Sequence, residues 1–360
     1  MIFLTGFPGF IATRLIRRLI EKNPGETFAC LVEPRMHALA EKVAGEIEQS
    51  SPSPQPSPLK GEGVRIEIID GDITRPDLGL SRFQMDRMVL EVDKVFHLAA
   101  IYDLTVPAAL AWKVNVEGTS HVLDFLEKLK NLKRHGYFST CYVAGLREGE
   151  VFEEELEKGQ KFKNFYESTK YEAEVLVRQR RGQIPTTIFR PSVVVGDSKT
   201  GEIPKFDGPY FALGLIRRFR RLKIPLVHIG PSKTPLNIVP VDFVVNSAVE
   251  IFTNDWAIGA TCALADPNPP TSGELLKTFC RLWDDSRVIG HLPTALAAFL
   301  WKYCFFAKAT GVPRESLVYF NHGVTFDTTN TQKFTQPSGI RCPSFREYAP
   351  VMIDYYRRNR

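Results

Sequence analysis

The sequence predicts an α/β protein built around a doubly wound parallel sheet. Short apolar segments alternate with helical patterns, and the first apolar segment runs directly into a glycine-rich turn. Several of these segments are almost continuously apolar, which is typical of strands that helices cover on both faces. In such a sheet, ligands bind at the carboxyl ends of the strands, so the residues that follow each strand are the candidate functional residues.

Composition limits the possible functions. The chain has 360 residues, 44% of them hydrophobic, which is enough for one large domain or two modest ones. The net charge of +5 suits a phosphate-bearing ligand but does not favour nucleic acid. The six cysteines form no C-x-x-C pair, so we expect reduced thiols and no metal site. We expect a cytoplasmic protein, because the chain begins within a strand and no apolar run reaches the ~18 residues of a membrane span.

The turn after the first strand predicts a dinucleotide phosphate site. The sequence T-G-F-P-G-F-I-A joins the strand at residues 2–5 to an amphipathic helical pattern. Gly6 permits the tight turn, Gly9 lets backbone N–H groups approach a pyrophosphate, and Ala12 permits close packing of the helix. The alternative is a purely structural turn. The predicted cofactor-binding residues of this turn are Gly6, Phe7, Pro8, Gly9, Phe10 and Ile11.

Further nucleotide contacts are expected after the next strands. Glu33 follows the strand at residues 27–32, where a carboxylate accepts hydrogen bonds from an adenosine ribose and repels a 2′-phosphate. Glu33 therefore favours NAD, whereas the nearby Arg35 would suit NADP; Glu33 as a plain surface residue is an equal alternative. Asp72, after the third strand, is expected near the adenine or as a turn residue. The other predicted cofactor contacts are Ile73, Leu98, Ala99, Ala100, Pro191 and Val193.

A tyrosine and a lysine on a later helix predict proton-transfer chemistry. Tyr166 and Lys170 are four residues apart and so lie on one helical face. A lysine ammonium favours the phenolate, so we expect it to lower the pKa of Tyr166 and make it a proton donor or acceptor. Thr140, at the end of the fifth strand, could hold the same substrate oxygen. The alternative is a solvated helix face with an ordinary i,i+4 pair.

The sequence divides into two functional regions. Residues 1–196 are expected to form the dinucleotide-binding domain, with residues 237–265 returning to its sheet. Residues 50–63 are rich in Pro and Ser and are expected to be a surface insertion. Residues 197–236 and 266–360 would form a smaller, mostly helical substrate-binding region.

Two segments of the substrate-binding region allow more than one interpretation of their function. The predicted helix at residues 210–223 places Phe211, Leu215, Phe219 and Leu222 on one side and a basic run on the other. That run is either a solvated face or a contact for phosphates, an acidic carrier protein or a membrane surface. The apolar, aromatic stretch at residues 294–306 is either a core helix, a substrate pocket or an interfacial anchor.

Taken together, these motifs resemble the extended short-chain dehydrogenase/reductase superfamily, which is NAD-dependent epimerase/dehydratase-like and has a Rossmann fold. The order and spacing of T-G-x-x-G-x-x-A, Asp72, H-L-A-A, Asn115, Thr140 and Y-x-x-x-K carry this resemblance over residues 1–265. The thioester-reductase and fatty acyl-CoA reductase branch is the most similar. That branch resembles the chain in F-S-T-C-Y-V-A-G, R-P-S-V-V-V-G-D-S and V-P-V-D.

The resemblance implies roles for individual residues. Tyr166 would be the general acid, Lys170 its electrostatic partner and ribose anchor, and Thr140 the donor to the carbonyl oxygen, with Asn115 supporting the proton relay. It implies NADP as cofactor, but Glu33 stands where the acyl reductases usually have an arginine, so the preference between NAD and NADP stays open. The implied substrate is a lipophilic carbonyl, above all an acyl thioester on CoA or a carrier protein, giving an aldehyde or alcohol.

Several alternatives remain. A nucleotide-sugar epimerase or dehydratase uses the same Tyr/Lys pair with retained NAD, and a ketone or hydroxysteroid dehydrogenase would act on free carbonyls. A non-catalytic redox sensor is disfavoured by the intact Tyr166, Lys170 and Thr140. The expected partners are a small-molecule substrate, with an acyl carrier protein or peripheral contact with a membrane left open, and the chain is expected to be a monomer or homodimer. An acyl-enzyme on Cys141 is rejected, because no His or Asn motif supports it.

Overall fold

The structure is a computed structural model that describes residues 1–50, 65–103, 105–223, 226–284, 288–300, 319 and 322–360. The Pro/Ser-rich insertion after residue 50 and residues 301–306 of the apolar stretch lie outside the described residues. In the described part, no helix combines the length and the apolar character that crossing a bilayer requires.

The secondary structure alternates between strands and helices. The strands are β1 (Ile2–Thr5), β2 (Thr27–Val32), β3 (Arg65–Asp70), β4 (Lys94–His97), β5 (Arg134–Phe138), β6 (Gly149–Val151), β7 (Thr186–Pro191), β8 (Val193–Val195), β9 (Leu226–Ile229), β10 (Ile238–Pro240), β11 (Thr261–Leu264), β12 (Val288–Leu292) and β13 (Val324–Phe326). The helices are α1 (Phe10–Lys22), α2 (His37–Ser50), α3 (Arg82–Glu91), α4 (Ala108–Ala111), α5 (Gly118–Lys128), α6 (Phe165–Gln179), α7 (Tyr210–Arg221), α8 (Val241–Phe252), α9 (Ser272–Asp284), α10 (Thr294–Leu300), α11 (Thr329–Thr335) and α12 (Phe345–Arg358).

Seven parallel strands form the central sheet, in the order β11-β7-β5-β4-β1-β2-β3. Strand β1 shows why both faces are apolar: Leu4 belongs to the core beneath α1 and α8, and Phe3 to the core beneath α3, α5 and α6. Alternate side chains of a strand point to opposite faces, so a continuous apolar run fills both cores. The predicted doubly wound fold is confirmed.

Strand order reverses between β1 and β4, because β2 and β3 lie on one side of β1 and the later strands on the other. This is the switch point at which the loops diverge and open a crevice. The turn after β1 and the segment after β4 border that crevice, which places the glycine turn at its centre.

Three elements differ from the pattern of their sequence. The apolar run at residues 94–100 indicates one strand, but β4 ends at His97, so Leu98 to Ala100 form the segment beyond it. Residues 107–130 have the pattern of one long helix, but a π-helical turn, Trp112–Glu117, interrupts it between α4 and α5. Strand β10 pairs with β8 in a separate two-stranded sheet, and β11 is the strand that joins the central sheet.

Helix α7 buries more than the apolar side that its sequence pattern indicates. Its buried residues are Tyr210, Ala212, Leu213 and Ile216, whereas Leu222 is 59% exposed. These buried residues pack with α9 and α12 in a third core. Of the four apolar residues predicted on one side, Phe219 packs against this third core, whereas Leu222 does not.

The C-terminal residues return to the nucleotide-binding sheet. Strand β13 pairs in parallel with β6, and α11 packs against β11 and α8. Glu153 joins these elements, since its carboxylate accepts hydrogen bonds from the backbone N–H groups of Ala263 at 2.7 Å and Asn330 at 2.6 Å.

Candidate active site

The predicted site residues lie at the carboxyl edge of the central sheet. The segments that carry them follow β1, β2, β3, β4, β5 and β7, and those six strands are neighbours in one parallel sheet. Tyr166 and Lys170 reach this edge from α6, and Asn115 reaches it from the π-helical turn, which packs against α6. The fold therefore brings the two predicted groups, nucleotide-binding and catalytic, to the same side of the molecule.

The glycine turn has no room for side chains at its two key positions. Gly6 has a φ of +89°, and a Cβ there would lie 2.8 Å from the Ala99 nitrogen. At Gly9 a Cβ would lie 2.6 Å from the Gly6 carbonyl oxygen, to which the Gly9 N–H donates at 2.8 Å. Helix α1 begins at the next residue, Phe10, so its N-terminal N–H groups border the turn. This cradle fits the pyrophosphate of a dinucleotide, because a helix N-terminus and exposed backbone donors stabilise anions.

The residues after β2 bear on the choice between NAD and NADP. Glu33 directly follows the strand, and its carboxylate accepts from Arg35 Nε at 2.6 Å. Both side chains are well exposed, 50% for Glu33 and 78% for Arg35. The two residues that were predicted to compete for the ribose thus form one pair, and a ligand there meets both charges.

Hydrogen bonds between side chains and backbone groups hold the segments that follow β3 and β4. Asp72 accepts from the Thr74 N–H at 2.8 Å, so part of its carboxylate stabilises the turn. Ile73 is buried, and its carbonyl accepts from His121 Nδ1 at 2.8 Å. The Ala99 N–H donates to Thr5 Oγ1 at 3.2 Å, which fixes the chain against the glycine turn.

Thr140 and Tyr166 are the predicted catalytic pair. Thr140 is buried at the end of β5 and begins a 3₁₀ turn, in which its hydroxyl accepts from the Tyr142 N–H at 3.2 Å. The Thr140 hydroxyl donates to the Pro191 carbonyl at 3.4 Å, and it lies near enough to the Tyr166 phenol to act toward lowering the pKa of that group. Tyr102, which the sequence analysis missed, places its ring edge-on to Tyr166 with centroids 5.2 Å apart. Thr140 and Tyr166 are therefore near neighbours at this edge of the sheet.

The expected effect of Lys170 on Tyr166 was wrong. Lys170 Nζ donates to the Phe138 carbonyl at 2.7 Å and to the Tyr137 phenol at 3.1 Å. Burial raises the pKa of Tyr166, with Tyr102 adding to the shift and the Thr140 hydroxyl opposing it. Burial also lowers the pKa of Lys170 to about 7. Desolvation therefore dominates both groups, and the phenol keeps its proton at neutral pH.

Asn115 has a positioning role in this structure. Its side-chain oxygen accepts from the Ile101 N–H at 2.9 Å, and its Nδ2 donates to Thr169 Oγ1 at 3.0 Å. Thr169 lies on α6 between Tyr166 and Lys170. The carboxamide therefore ties the segment after β4 to the catalytic helix, and the π-helical turn sets Asn115 in register for both contacts.

A buried ion pair beneath the site was not predicted. Glu174, one turn after Lys170, accepts from Arg190 Nε at 3.0 Å and Nη2 at 2.6 Å, and from Ser139 Oγ at 2.6 Å. Burial alone would raise the pKa of Glu174, but Arg190 outweighs it and lowers that pKa to about 2. No spacing in the sequence indicates this pair, because it joins α6 to β7.

Cys141 is not arranged as a nucleophile. It is 2% exposed, and its thiol donates to the Arg190 carbonyl at 3.0 Å. Burial raises the pKa of the thiol, which disfavours the reactive thiolate. Among the described cysteines none forms a disulfide, and four of the five are buried, whereas Cys304 lies outside the described residues.

The fold and this site define an extended short-chain dehydrogenase/reductase. Residues 4–248 match the NAD-binding family described as male sterility protein, and the chain belongs to that family. The predicted superfamily, its thioester-reductase and acyl-CoA reductase branch, and the oxidoreductase class are confirmed.

Two relatives illustrate this membership. A linear gramicidin synthase from Brevibacillus parabrevis is 28% identical over 284 residues, covering 76% of this chain but 5% of the synthase chain. The fatty acyl-CoA reductase wat of Drosophila melanogaster is 26% identical over 296 residues, covering 71% of this chain and 54% of that reductase. The chain thus spans a small part of the first relative and about half of the second.

Solved structures show the same fold. The terminal R domain from the myxalamid PKS-NRPS pathway superposes with a TM-score of 0.81 at 24% identity, covering 99% of this chain and 90% of that domain. A thiolation-reductase di-domain from an archaeal non-ribosomal peptide synthetase gives 0.74 at 16% identity, with 99% and 75% covered. UDP-glucuronic acid 4-epimerase from Bacillus cereus, solved with NAD, gives 0.66 at 17%, with 99% of each chain covered.

Proposed function

We propose that the protein is an NAD(P)H-dependent reductase of acyl thioesters that yields an aldehyde or alcohol. The placement of Thr140 and Tyr166 at the same edge of the sheet as the glycine cradle carries this proposal. Family membership and the similarity to acyl-CoA reductases and to reductase domains of peptide synthetases support it. The substrate would be carried on CoA or on a carrier protein, and the thiolation-reductase di-domain supports the second choice.

The nucleotide would occupy the cradle formed by Gly6, Gly9 and the start of α1, with Glu33 or Arg35 near its ribose. When bound, the reduced nicotinamide would supply the hydride. Thr140 and Tyr166 would orient the carbonyl oxygen by donating hydrogen bonds to it, which stabilises the negative charge that develops there. Glycines at both turn positions keep the backbone close enough for this alignment.

Tyr166 would then donate its proton to that oxygen. A general acid must hold its proton until it is needed, and burial raises the pKa of this phenol in the required direction. Hydride and proton together convert a thioester to a hemithioacetal, which releases the thiol and an aldehyde when the carbon–sulfur bond breaks. A second hydride and proton would convert the aldehyde to an alcohol.

The proposal is tested by following oxidation of NADH and NADPH, separately, with a long-chain acyl-CoA and then with the matching aldehyde. Nucleotide oxidation with the thioester, and aldehyde or alcohol as product, is the expected result. Activity with the aldehyde alone would instead point to a dehydrogenase of free carbonyls. If no nucleotide is consumed and the purified protein carries stoichiometric NAD, the acyl reductase proposal fails and nucleotide sugars become the substrates to screen.

A further inference from the structure

A network of buried polar groups lies between the glycine turn and Lys170. Its members are Thr5, His97, Thr119, Tyr137 and Lys170, none more than 3% exposed. They come from β1, β4, α5, β5 and α6, so the network crosses the centre of the sheet. Because these groups are removed from bulk water, the direction of each hydrogen bond follows from counting donors and acceptors.

The direction is fixed first at Thr119. Its hydroxyl donates to the Asn115 carbonyl at 2.6 Å, so its only proton is used there. The Thr119 oxygen therefore accepts from His97 Nε2 at 3.1 Å, and it follows that His97 carries its proton on Nε2. The Thr119 hydroxyl also lies near the Tyr137 phenol, where it acts toward lowering the pKa of that group.

The remaining bonds agree with this assignment. With the proton on Nε2, His97 Nδ1 is an acceptor, and Thr5 Oγ1 lies 2.7 Å away as its donor. The Thr5 oxygen then accepts from the Ala99 N–H. A neutral His97 is required throughout, and burial together with the nearby charge of Lys170 lowers the pKa of His97 well below its usual value.

At the other end, Tyr137 is an acceptor for the lysine, because an ammonium can only donate. The phenol oxygen receives one N–H of Lys170 at 3.1 Å, and the Phe138 carbonyl receives another at 2.7 Å. An ammonium has three donors. Two are thus held by β5, and the third is left for the ribose or for the oxygen of Tyr166.

We propose that Tyr137 is a positioning residue that holds the Lys170 ammonium in place for reduction. The inference rests on the proposed function, because it assigns Lys170 its role beside Tyr166. The competing interpretation is that Tyr137 only fills the core, where its ring packs beside His97 with centroids 5.6 Å apart.

The charged and titratable groups around Lys170 set the sign of the expected pH effect. Glu174 on α6 favours the ammonium, whereas burial opposes it. His97 on β4 is neutral, and Tyr137 on β5 and Tyr166 on α6 are protonated phenols, since burial raises the pKa of both. Removing the Tyr137 oxygen deletes an acceptor of the charged lysine, so the pKa of Lys170 falls further and the ammonium is lost at lower pH.

The test compares Tyr137→Phe with the wild type in two measurements from pH 6 to 9. The first is kcat for the acyl thioester, and the second is NADH affinity by fluorescence titration. In the variant, the decline of both at high pH should move to lower pH by about one unit, the usual scale for a hydrogen bond to a charged group. Thr119→Val should shift both in the same direction by less.

Tyr348→Phe is the matched control. Tyr348 is equally buried and its phenol donates to the Ile238 carbonyl at 3.1 Å, in the third core. The Tyr348→Phe variant should lose some thermal stability, but its pH curves for kcat and for NADH affinity should not shift. If Tyr137→Phe is too unstable to assay, Thr119→Val gives the decisive comparison.

The outcomes separate this inference from the proposed function. An active wild type and a Tyr137→Phe variant with unshifted pH curves would overturn the positioning role and leave the reductase intact. A wild type that oxidises no nucleotide would overturn the reductase. In that case the NADH-binding curve still decides whether Tyr137 holds Lys170: a shifted curve supports the role, and an unshifted one rejects it.

Discussion

The nucleotide end and the catalytic end of the site are built by opposite means. The turn after β1 has glycines, Gly6 and Gly9, where a side chain would not fit, so the backbone itself forms the surface there. On α6 the structure buries functional side chains, and Lys170 and Glu174 are each at most 3% exposed. The first end therefore depends on space and backbone conformation, and the second depends on the desolvation and pairing of ionisable groups. Substitutions at the first end should therefore weaken nucleotide binding, and those at the second should impair proton transfer.

The largest effect is expected from Tyr166→Phe. Loss of the general acid should lower kcat by about 10³-fold, within the usual range for proton-transfer catalysis, while NAD(P)H affinity stays nearly unchanged. Steady-state kinetics and fluorescence titration measure the two quantities. Tyr171→Phe, a tyrosine on the same helix that packs against Phe162, should leave both unchanged. Unaltered turnover in Tyr166→Phe would refute the assigned role.

Gly6→Ala should produce the converse pattern. The new methyl group would meet the Ala99 backbone at 2.8 Å in a conformation that side chains rarely adopt. We expect NAD(P)H to bind at least about 30-fold more weakly, which corresponds to roughly 2 kcal/mol. Gly182→Ala, where a Cβ meets nothing within 4 Å, is the control for titration by fluorescence. Equal affinities for both variants would show that the turn does not contact the nucleotide.

Two buried carboxylates, Glu174 and Glu153, test the electrostatic side of this comparison. The pKa of Glu174 is lowered to about 2 from 4.5, so its stabilisation is complete above pH 4.5 and is lost as the pH falls toward 2. Burial raises the pKa of Glu153 to about 7, so its contribution has the other sign: stability is lost as the pH rises from 4.5 to 7.

Denaturant unfolding across this pH range checks both signs. Glu174→Gln should be destabilised by about 3 kcal/mol at pH 7, because it leaves Arg190 buried without its partner, and it should lose the wild-type decline below pH 4.5. Glu153→Gln should flatten the decline between pH 4.5 and 7. Parallel pH profiles for the two variants would contradict the opposite assignments.

The smallest effect is expected for cofactor choice. Glu33→Gln removes the charge that repels a 2′-phosphate and frees Arg35 from its 2.6 Å pair. The preference for NADPH over NADH should rise roughly tenfold, or about 1.4 kcal/mol, as the ratio of the two kcat/KM values. Glu46→Gln, the same charge change on the exposed face of α2, should leave this ratio unchanged. An unaltered ratio in Glu33→Gln would mean that the ribose lies elsewhere.

What the sequence could predict follows the same division. The glycine turn, the parallel strands and the positions of Thr140, Tyr166 and Lys170 are local patterns, because each depends on residues a few positions apart. The hydrogen bond from Lys170 to Tyr137 spans 33 residues and the one from Arg190 to Glu174 joins a strand to a helix. Such contacts depend on strand order and helix rotation, which periodicity alone does not give.

The effect of desolvation on the pKa values also could not be predicted from the sequence. The expectation that Lys170 would lower the pKa of Tyr166 used the i,i+4 spacing correctly but assumed that the two groups interact mainly with each other. In the structure burial outweighs that interaction for both. The π-helical turn at Asn115 was missed for a related reason, since its register is set by the contacts with Ile101 and Thr169.

Hydride transfer to an acyl carbon is the central claim, and isotope transfer tests it most directly. The protein would be incubated with a long-chain acyl-CoA and NADH or NADPH that carries deuterium at the transferable position, and the products analysed by mass spectrometry. We predict an aldehyde with one deuterium on its carbonyl carbon, or an alcohol with two on the same carbon, and neither product from Tyr166→Phe. Complete recovery of the thioester and of the labelled nucleotide, from folded protein that binds the nucleotide, would contradict the account.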